Sequence, residues 1–275
     1  MALLDRGVEI KTPDQIAAMR RAGLVVGETL AVLRDAVRPG LTTAELDAIA
    51  EDAIRSRGAV PSFKGYHGFP GSICASVNDV VVHGIPGDQV LAEGDVISID
   101  CGAIVDGWHG DSAITLAIGA VPEAVSELMR VTEQAMWHGI AAARLGGRVS
   151  DISHAVESYV RAQPEGASYG IVEEYVGHGI GSQMHQPPNV PNFGRPGRGP
   201  KLRRGLALAV EPMIILGTKE TEVLEDDWTV ITLDGSTAAH FEHTFTLTPD
   251  GLWVLTALDG GEEMLGRLGV PFAGR

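Results

Sequence analysis

The run Leu206-Ala207-Leu208-Ala209-Val210-Glu211-Pro212-Met213-Ile214-Ile215 constrains the fold more than any other stretch of the chain. Apart from Glu211 it is apolar and reads as a buried strand. Leaving a carboxylate in such a run unpaired is costly, so a metal ion or another cation beside Glu211 is the favoured reading. Composition allows a buried strand of this kind: 44% of residues are hydrophobic, enough for a sizeable core, and with only 5% aromatic that core is aliphatic. The 35 glycines are dispersed, which points to tight turns or to backbone packed closely around a site.

Two further blocks frame that run. Thr12-Pro13-Asp14-Gln15 supplies an N-cap, a proline at the first helical position and a capping-box glutamine, and apolar residues from Ile16 to Leu33 keep a helical period to about Ala36. Pro39-Gly40 breaks the helix, Thr42-Thr43-Ala44-Glu45 starts a second, and Gly58 ends it. From Gly71 to Gly119 the pattern turns to strand, in Ser72–Val77 and Val96–Asp100. Helices return over Pro122–Leu145 and Ser150–Arg161, followed by strands near Ile171–Val176, Leu206–Ile215, Trp228–Leu233 and Glu242–Thr248. Helix, helix, strands thus occurs twice. An offset of 106 residues aligns Gly40 with Gly146, Leu46 with Ile152 and Ala50 with Val156, as in a duplicated half-domain. The expectation is one α+β domain of two similar lobes with a site between them.

Several classes of function are disfavoured. The formal charge of −15 and the lack of a dense Lys/Arg run argue against direct nucleic-acid binding and against docking on anionic lipid. The richest basic stretch, Arg195 to Arg204, is broken by Pro and Gly and reads as a solvated loop. The opening MALLDRGVEIKTPD has no basic n-region or apolar h-region, so no signal peptide is expected. No run of about 18 apolar residues offers a membrane span. Two cysteines, Cys74 and Cys101, make no disulfide framework, so a reducing cytoplasm is expected.

The candidate chemistry is spread along the chain. Asp100 ends an apolar strand and Asp111 follows across a segment containing Gly102, Gly107 and Gly110; Asp106 between them reads as a turn residue. Alone, this pair favours turn-and-surface acids over ligands. His178 lies between two glycines with His185 seven residues on; a lone histidine in such a loop is more often structural or exposed, but the apolar strand pattern before it favours an inward-facing ring. Glu242, opening a strand, says nothing by itself. Together, four carboxylates and one imidazole suit two borderline-hard divalent ions, which carboxylates can bridge at a spacing of about 3.5–4 Å. No thiolate joins the set, and no HExxH, GxSxG or GxxxxGK[ST] motif competes with it.

The segments SVNDVVVHGIP (76–86), ISIDCGAIVDGWHGDSA (97–113), VGHGIGSQMHQPP (176–188), AVEPM (209–213) and FEHT (241–244) resemble those of type I methionine aminopeptidases, in order and spacing from about Thr12 to Thr248. The resemblance is to the bacterial-length form, without an N-terminal zinc-binding extension. It implies the pseudo-two-fold "pita-bread" α+β fold, an antiparallel sheet flanked by helix pairs, within a single catalytic domain of two half-domains (about 12–120 and 121–250).

By the same resemblance, Asp100, Asp111, His178, Glu211 and Glu242 hold two divalent ions (Co, Mn, Fe(II) or Zn), and Glu211 also relays the proton. His83 contacts substrate near the scissile amide, and His185 polarises the scissile carbonyl. Tyr66, Phe69, Cys74 and Trp228 build the methionine pocket. The implied activity is hydrolytic removal of the initiator methionine from nascent chains, preferentially before a small second residue. A cytoplasmic monomer in transient proximity to the ribosome is expected. Two departures from the family's pattern fall on the pocket rim: Met184 precedes the second histidine where an aromatic is common, and Phe63 stands where some relatives carry cysteine. A proline-specific peptidase of the same fold shares the five-ligand pattern but usually carries a large additional domain. A non-catalytic scaffold on this fold would be expected to have lost ligands.

Overall fold

Both N-terminal helices begin at the sequence-encoded caps. In a computed structural model, which describes residues 7–274, helix α1 spans Pro13–Ala36 and α2 spans Thr43–Ser56. The Gln15 N–H donates to Thr12 Oγ1 and the Thr12 N–H to Gln15 Oε1; Glu45 and Thr42 repeat the exchange. Each box satisfies two helix-end donors that would otherwise be orphaned. Gly58, at φ +74°, closes α2 by donating to the Arg55 carbonyl. Of the segment expected to carry no signal peptide, residues 1–6 lie outside the described residues.

Between α2 and the next helix lie β1 (Val60–Pro61), β2 (Ile73–Val77), β3 (Val80–Val82), β4 (Val96–Val105) and β5 (Trp108–Ala117). Helices α3 (Glu123–Ala142) and α4 (Val149–Arg161) follow, then β6 (Gly170–Ile171), β7 (Gly177–Gly179), β8 (Gln186–Val190), β9 (Ala207–Val210) and β10 (Met213–Ile215). The chain finishes with β11 (Thr221–Val223), β12 (Val230–Thr232), β13 (Ala238–His240), β14 (Glu242–Leu247), β15 (Leu252–Val254) and α5 (Glu262–Arg267). The main sheet runs β1-β4-β5-β14-β9-β7-β8, with β2 added on β4 and β15 on β14. Two small sheets, β13-β10-β6 and β11-β12-β3, complete an antiparallel α+β architecture with the helix pairs α1/α2 and α3/α4.

Alternation assigns a role to each face of the main sheet. The even residues of β5 meet α1: a Cβ on Gly110 would lie 2.7 Å from the Gly23 nitrogen. The helix-facing side of β4 is Ile97, Ile99, Cys101 and Ala103, all in the main aliphatic core. On β14 it is His243, Phe245 and Leu247, with the His243 ring 5.0 Å from that of Trp137 on α3. The other face carries Ser98, Asp100 and Gly102 on β4 and Glu242, Thr244 and Thr246 on β14.

The offset of 106 residues recurs on the helix side of the bonding, while the partner segment beginning near Gln89 repeats at an offset of 111. The Gly40 N–H donates to the Leu91 carbonyl as that of Gly146 does to Leu202, and Thr43 pairs with Gln89 as Val149 does with Pro200. The Leu91 N–H returns to the Leu41 carbonyl as that of Leu202 does to Gly147. Arg148 N–H donates to the Asp151 carboxylate where Thr42 N–H donates to Glu45.

Three strand expectations need correction. The run 206–215 is two strands in different sheets: β9 pairs Val210 with His243, and β10 pairs Met213 with His240. Pro212 has no N–H to continue the ladder, so the chain changes sheet at Glu211-Pro212. The strand placed at 171–176 shrinks to Gly170–Ile171, because the adjacent acids Glu173 and Glu174 cannot alternate without turning one inward. The strand placed at 96–100 continues instead to Val105, through Gly102 and Ala103.

Candidate metal centre

Register brings the five expected ligands together. Asp100 on β4 and Glu242 on β14 both pair with Ala113 of β5, one from each side. Asp111 lies two residues from Ala113 on the same strand and so shares its face. Continuing the Val210–His243 pairing by one residue sets Glu211 beside Glu242. Gly179 pairs with Leu208, which puts the neighbouring His178 on the face of Ala209 and Glu211. The small side chain of Ala113, 1% exposed, leaves room at the centre of this ring.

The donor atoms form triplets within 4.8 Å of one another: Asp100, Asp111 and Glu242; His178, Glu211 and Glu242; Asp111, His178 and His185. Glu211 Oε1 is 3.4 Å from His178 Nε2, and Glu211 Oε2 is 3.6 Å from His240 Nε2. The His178 Nδ1 faces the Gly179 carbonyl at 3.0 Å. With Nδ1 as donor there, the Nε2 lone pair is turned to the cluster, an orientation suited to a metal ligand.

Electrostatics makes the cluster unfavourable on its own. Burial raises the Glu211 carboxyl to about 8. Burial, with the charge of Glu211 adding to it, raises Asp100 to about 7 against the opposing pull of His240. Asp111 and Glu242 are pushed well above the ordinary range by burial and then by neighbouring acids. Burial lowers His178 to about 3. Asp100 Oδ1, Asp111 Oδ1 and Glu242 Oε1 are buried with no hydrogen-bond partner among the described residues. Unpaired carboxylate oxygens and crowded like charges are what divalent cations relieve, and an oxygen-rich donor set with one imidazole suits Mn, Fe, Co or Zn.

Above the acids lies a cavity of about 100 Å³. Its walls are Tyr66, Phe69, Cys74, His83, His185 and Trp228, together with the two departing residues Phe63 and Met184. Phe63, Phe69, Cys74 and Met184 pack as a cluster of their own. Cys74 pairs with Asp100 across β2 and β4, so its thiol stands beside the acids, whereas Cys101 pairs with Ile73 and faces the core; both are free. His83 follows β3 with its backbone at φ +60°, a conformation that costs about 1–3 kcal/mol where surroundings enforce it. The next residue, Gly84, allows the fit, since a Cβ there would lie 2.4 Å from the Ala75 carbonyl oxygen. The His83 ring meets those of Tyr175 and Trp228 edge-on, and burial lowers it to about 4. His185 Nδ1 is 3.0 Å from the Tyr66 hydroxyl.

Sequence reasoning missed His240. The residue is 2% exposed and reaches Glu211 from β13, on a different sheet from Asp100, Asp111 and Glu242. The available signal was its spacing: position 240 shares the alternation of Glu242 in a row entering the site.

Comparison with known proteins agrees with the geometry. Metallopeptidase family M24 matches residues 17–249. The chain is 52% identical over 248 residues to the methionine aminopeptidase of Clostridium acetobutylicum, covering 90% of this chain and 98% of the relative. It is 53% identical over 254 residues to methionine aminopeptidase 1 of Mycobacterium tuberculosis, covering 91% and 96%. The crystal structure of methionine aminopeptidase from Rickettsia prowazekii superposes with a TM-score of 0.87 at 41% identity, covering 90% of this chain and 99% of that one. Prolidase from Pyrococcus furiosus, at 20% identity and a TM-score of 0.73, shares the fold alone. The chain belongs to metallopeptidase family M24 and, within it, to the methionine aminopeptidases of bacterial length. Its architecture is the pita-bread fold of that family.

Proposed function

We propose that this chain hydrolyses the first peptide bond of polypeptides that begin with methionine, preferring a small second residue. It does so with two divalent ions held by Asp100, Asp111, His178, Glu211 and Glu242. The observation that carries this is the convergence of orphaned carboxylate oxygens at the floor of an apolar cavity. When bound, ions of the Mn, Fe(II), Co or Zn type supply Lewis acidity, which polarises a carbonyl and acidifies water.

The protein's own groups do the rest. Glu211, between two imidazoles, takes and returns a proton at a carboxylate oxygen. His185 is oriented through Nδ1 by the Tyr66 hydroxyl, so Nε2 is free to stabilise the charge developing on the scissile carbonyl. His83, held by its turn and by Tyr175 and Trp228, serves the amide nitrogen. Tyr66, Phe69, Cys74 and Trp228 enclose an unbranched thioether, with Met184 and Phe63 shaping the rim.

Residues 12–120 and 121–250 are the two halves of this single catalytic domain, a reading supported by the bonds that repeat between the start of each second helix and its partner segment. The enzyme works as a cytoplasmic monomer on nascent N-termini near the ribosome. No described helix is long and apolar enough to cross a membrane.

The test is a steady-state assay of metal-stripped protein given each divalent ion in turn, on Met-Ala-Ser and Ala-Pro-Ser peptides. Metal-dependent cleavage of Met-Ala-Ser is expected. Preferential X-Pro cleavage would install the prolidase reading, and no cleavage with no metal uptake would leave a scaffold.

A further inference from the structure

The clearest feature that the five ligands leave unexplained is the imidazole at their edge. His240 Nε2 is buried and, among the described residues, has no hydrogen-bond partner, a condition it shares with one oxygen each of Asp100, Asp111 and Glu242. A buried, unpaired ring nitrogen is expensive whether it donates or accepts, and calls for an explanation. Glu211 Oε2, at 3.6 Å, is the polar atom it faces, slightly beyond hydrogen-bond length. The other oxygen of the same carboxylate faces His178. His240 belongs to none of the triplets of donor atoms close enough to share an ion.

The backbone of His240 is fixed. Its N–H donates to Thr115 Oγ1, and its carbonyl accepts the Thr115 hydroxyl at 2.7 Å. The Ser98 hydroxyl, 2.9 Å from Thr115 Oγ1, completes this buried clamp. The clamp joins β13 to β5, strands of different sheets, and holds the ring beside Glu211 in the link between β9 and β10. A buried side chain whose residue is pinned at both backbone groups is pre-organised.

We propose that His240 is a positioning residue of the metal centre: its Nε2–H is aimed at Glu211 Oε2 and sets the orientation in which Glu211 presents its other oxygen to the centre. The protonated ring carries that N–H, and so does the neutral ring in its Nε2–H tautomer, so the role is the same in either state. This assignment rests on the reading of Glu211 as a metal ligand. It adds a residue that acts through Glu211 and touches neither substrate nor metal.

The test compares His240→Gln, which keeps an N–H donor of similar reach, with His240→Leu, which removes it, each in the full chain. Metal-free protein is titrated with Mn(II) by calorimetry, and kcat and KM are measured separately on Met-Ala-Ser. For the leucine variant, Mn(II) affinity is expected to fall about 10-fold or more, the range seen when groups supporting a ligand are removed. Its kcat is expected to fall while KM changes little. The glutamine variant should recover most of both. If the leucine variant does not fold, His240→Asn, whose amide is too short to reach, takes its place with the same expectation. Leucine and glutamine variants equally impaired, or a leucine variant with wild-type affinity and kcat, would overturn the assignment. Wild-type protein that takes up no Mn(II) would instead overturn the metal-ligand reading beneath it.

Discussion

Replacing Glu211 by glutamine should stabilise the metal-free protein while removing its response to metal. Burial raises Glu211 from an ordinary 4.5 to about 8. A carboxyl whose folded value is raised contributes stability that is fully present below the unfolded value and is lost as pH rises through the folded one. Wild-type metal-free protein therefore loses stability from this group between roughly pH 4.5 and 8, at up to about 1.4 kcal/mol per unit. Glutamine has no such slope. At pH 7.5 the variant should exceed wild type by roughly 2–4 kcal/mol, the lower figure allowing for relaxation of the neighbouring acids. At pH 4.5 the two should be nearly equal. His178 and His83, lowered to about 3 and about 4, contribute stability that is present above about 6.5 and lost on acidification. They are present in both proteins and cancel in the comparison.

Urea unfolding followed by tryptophan fluorescence, in chelator at both pH values, measures the difference. Adding Mn(II) at 100 times its dissociation constant should then stabilise wild type by about 2.7 kcal/mol, and the variant by much less. A variant no more stable than wild type at pH 7.5 in chelator would refute the reasoning. So would a stability gap of the same size at both pH values.

Other perturbations probe the scaffold. Gly110→Ala forces a Cβ against the Gly23 backbone at 2.7 Å. It should cost about 1–3 kcal/mol and weaken Mn(II) binding through the adjacent Asp111, as read by thermal unfolding and calorimetry. Tyr66→Phe removes the hydroxyl that holds His185. Its kcat should fall several-fold with stability within about 0.5 kcal/mol of wild type, and unchanged kcat would count against the orienting role. Glu9→Ala removes bonds to Ser182 and Gln186 in the loop that carries His185, and the ion partner of Lys11, which is 5% exposed. It should cost about 1–3 kcal/mol and raise KM; unfolding curves and peptide kinetics check both.

Some of this architecture is legible in the chain because the determinants are local. The boxes at Thr12–Gln15 and Thr42–Glu45 fix helix starts within four residues, and both starts stand where the spacing places them. Glu211 declares itself because its neighbours are apolar. Elsewhere the deciding interactions are not local. Asp100, Asp111 and Glu242 become one site only through their shared register with Ala113, which strand alternation alone does not specify. The change of sheet at Pro212 is encoded by a missing N–H, but its direction depends on where β13 lies. His240 stayed hidden because Glu211 comes beside it only through the pairing of β13 with β10, which starts two residues after Glu211, and the hydroxyl clamp at Thr115 that aims it joins residues 125 apart. The kinship of the ligand segments, and the place of Phe63 and Met184 at the pocket, were readable from motif order, whereas the packing of those two side chains against Phe69 and Cys74 depends on contacts between distant segments.

The central claim is that five residues hold two ions at the floor of this cavity. Its most direct test is anomalous diffraction from crystals of the protein soaked in Mn(II). Two manganese peaks are predicted about 3.5–4 Å apart, ringed by Asp100, Asp111, His178, Glu211 and Glu242. No peak among these side chains at full soaking concentration, or manganese bound only elsewhere, would contradict the account.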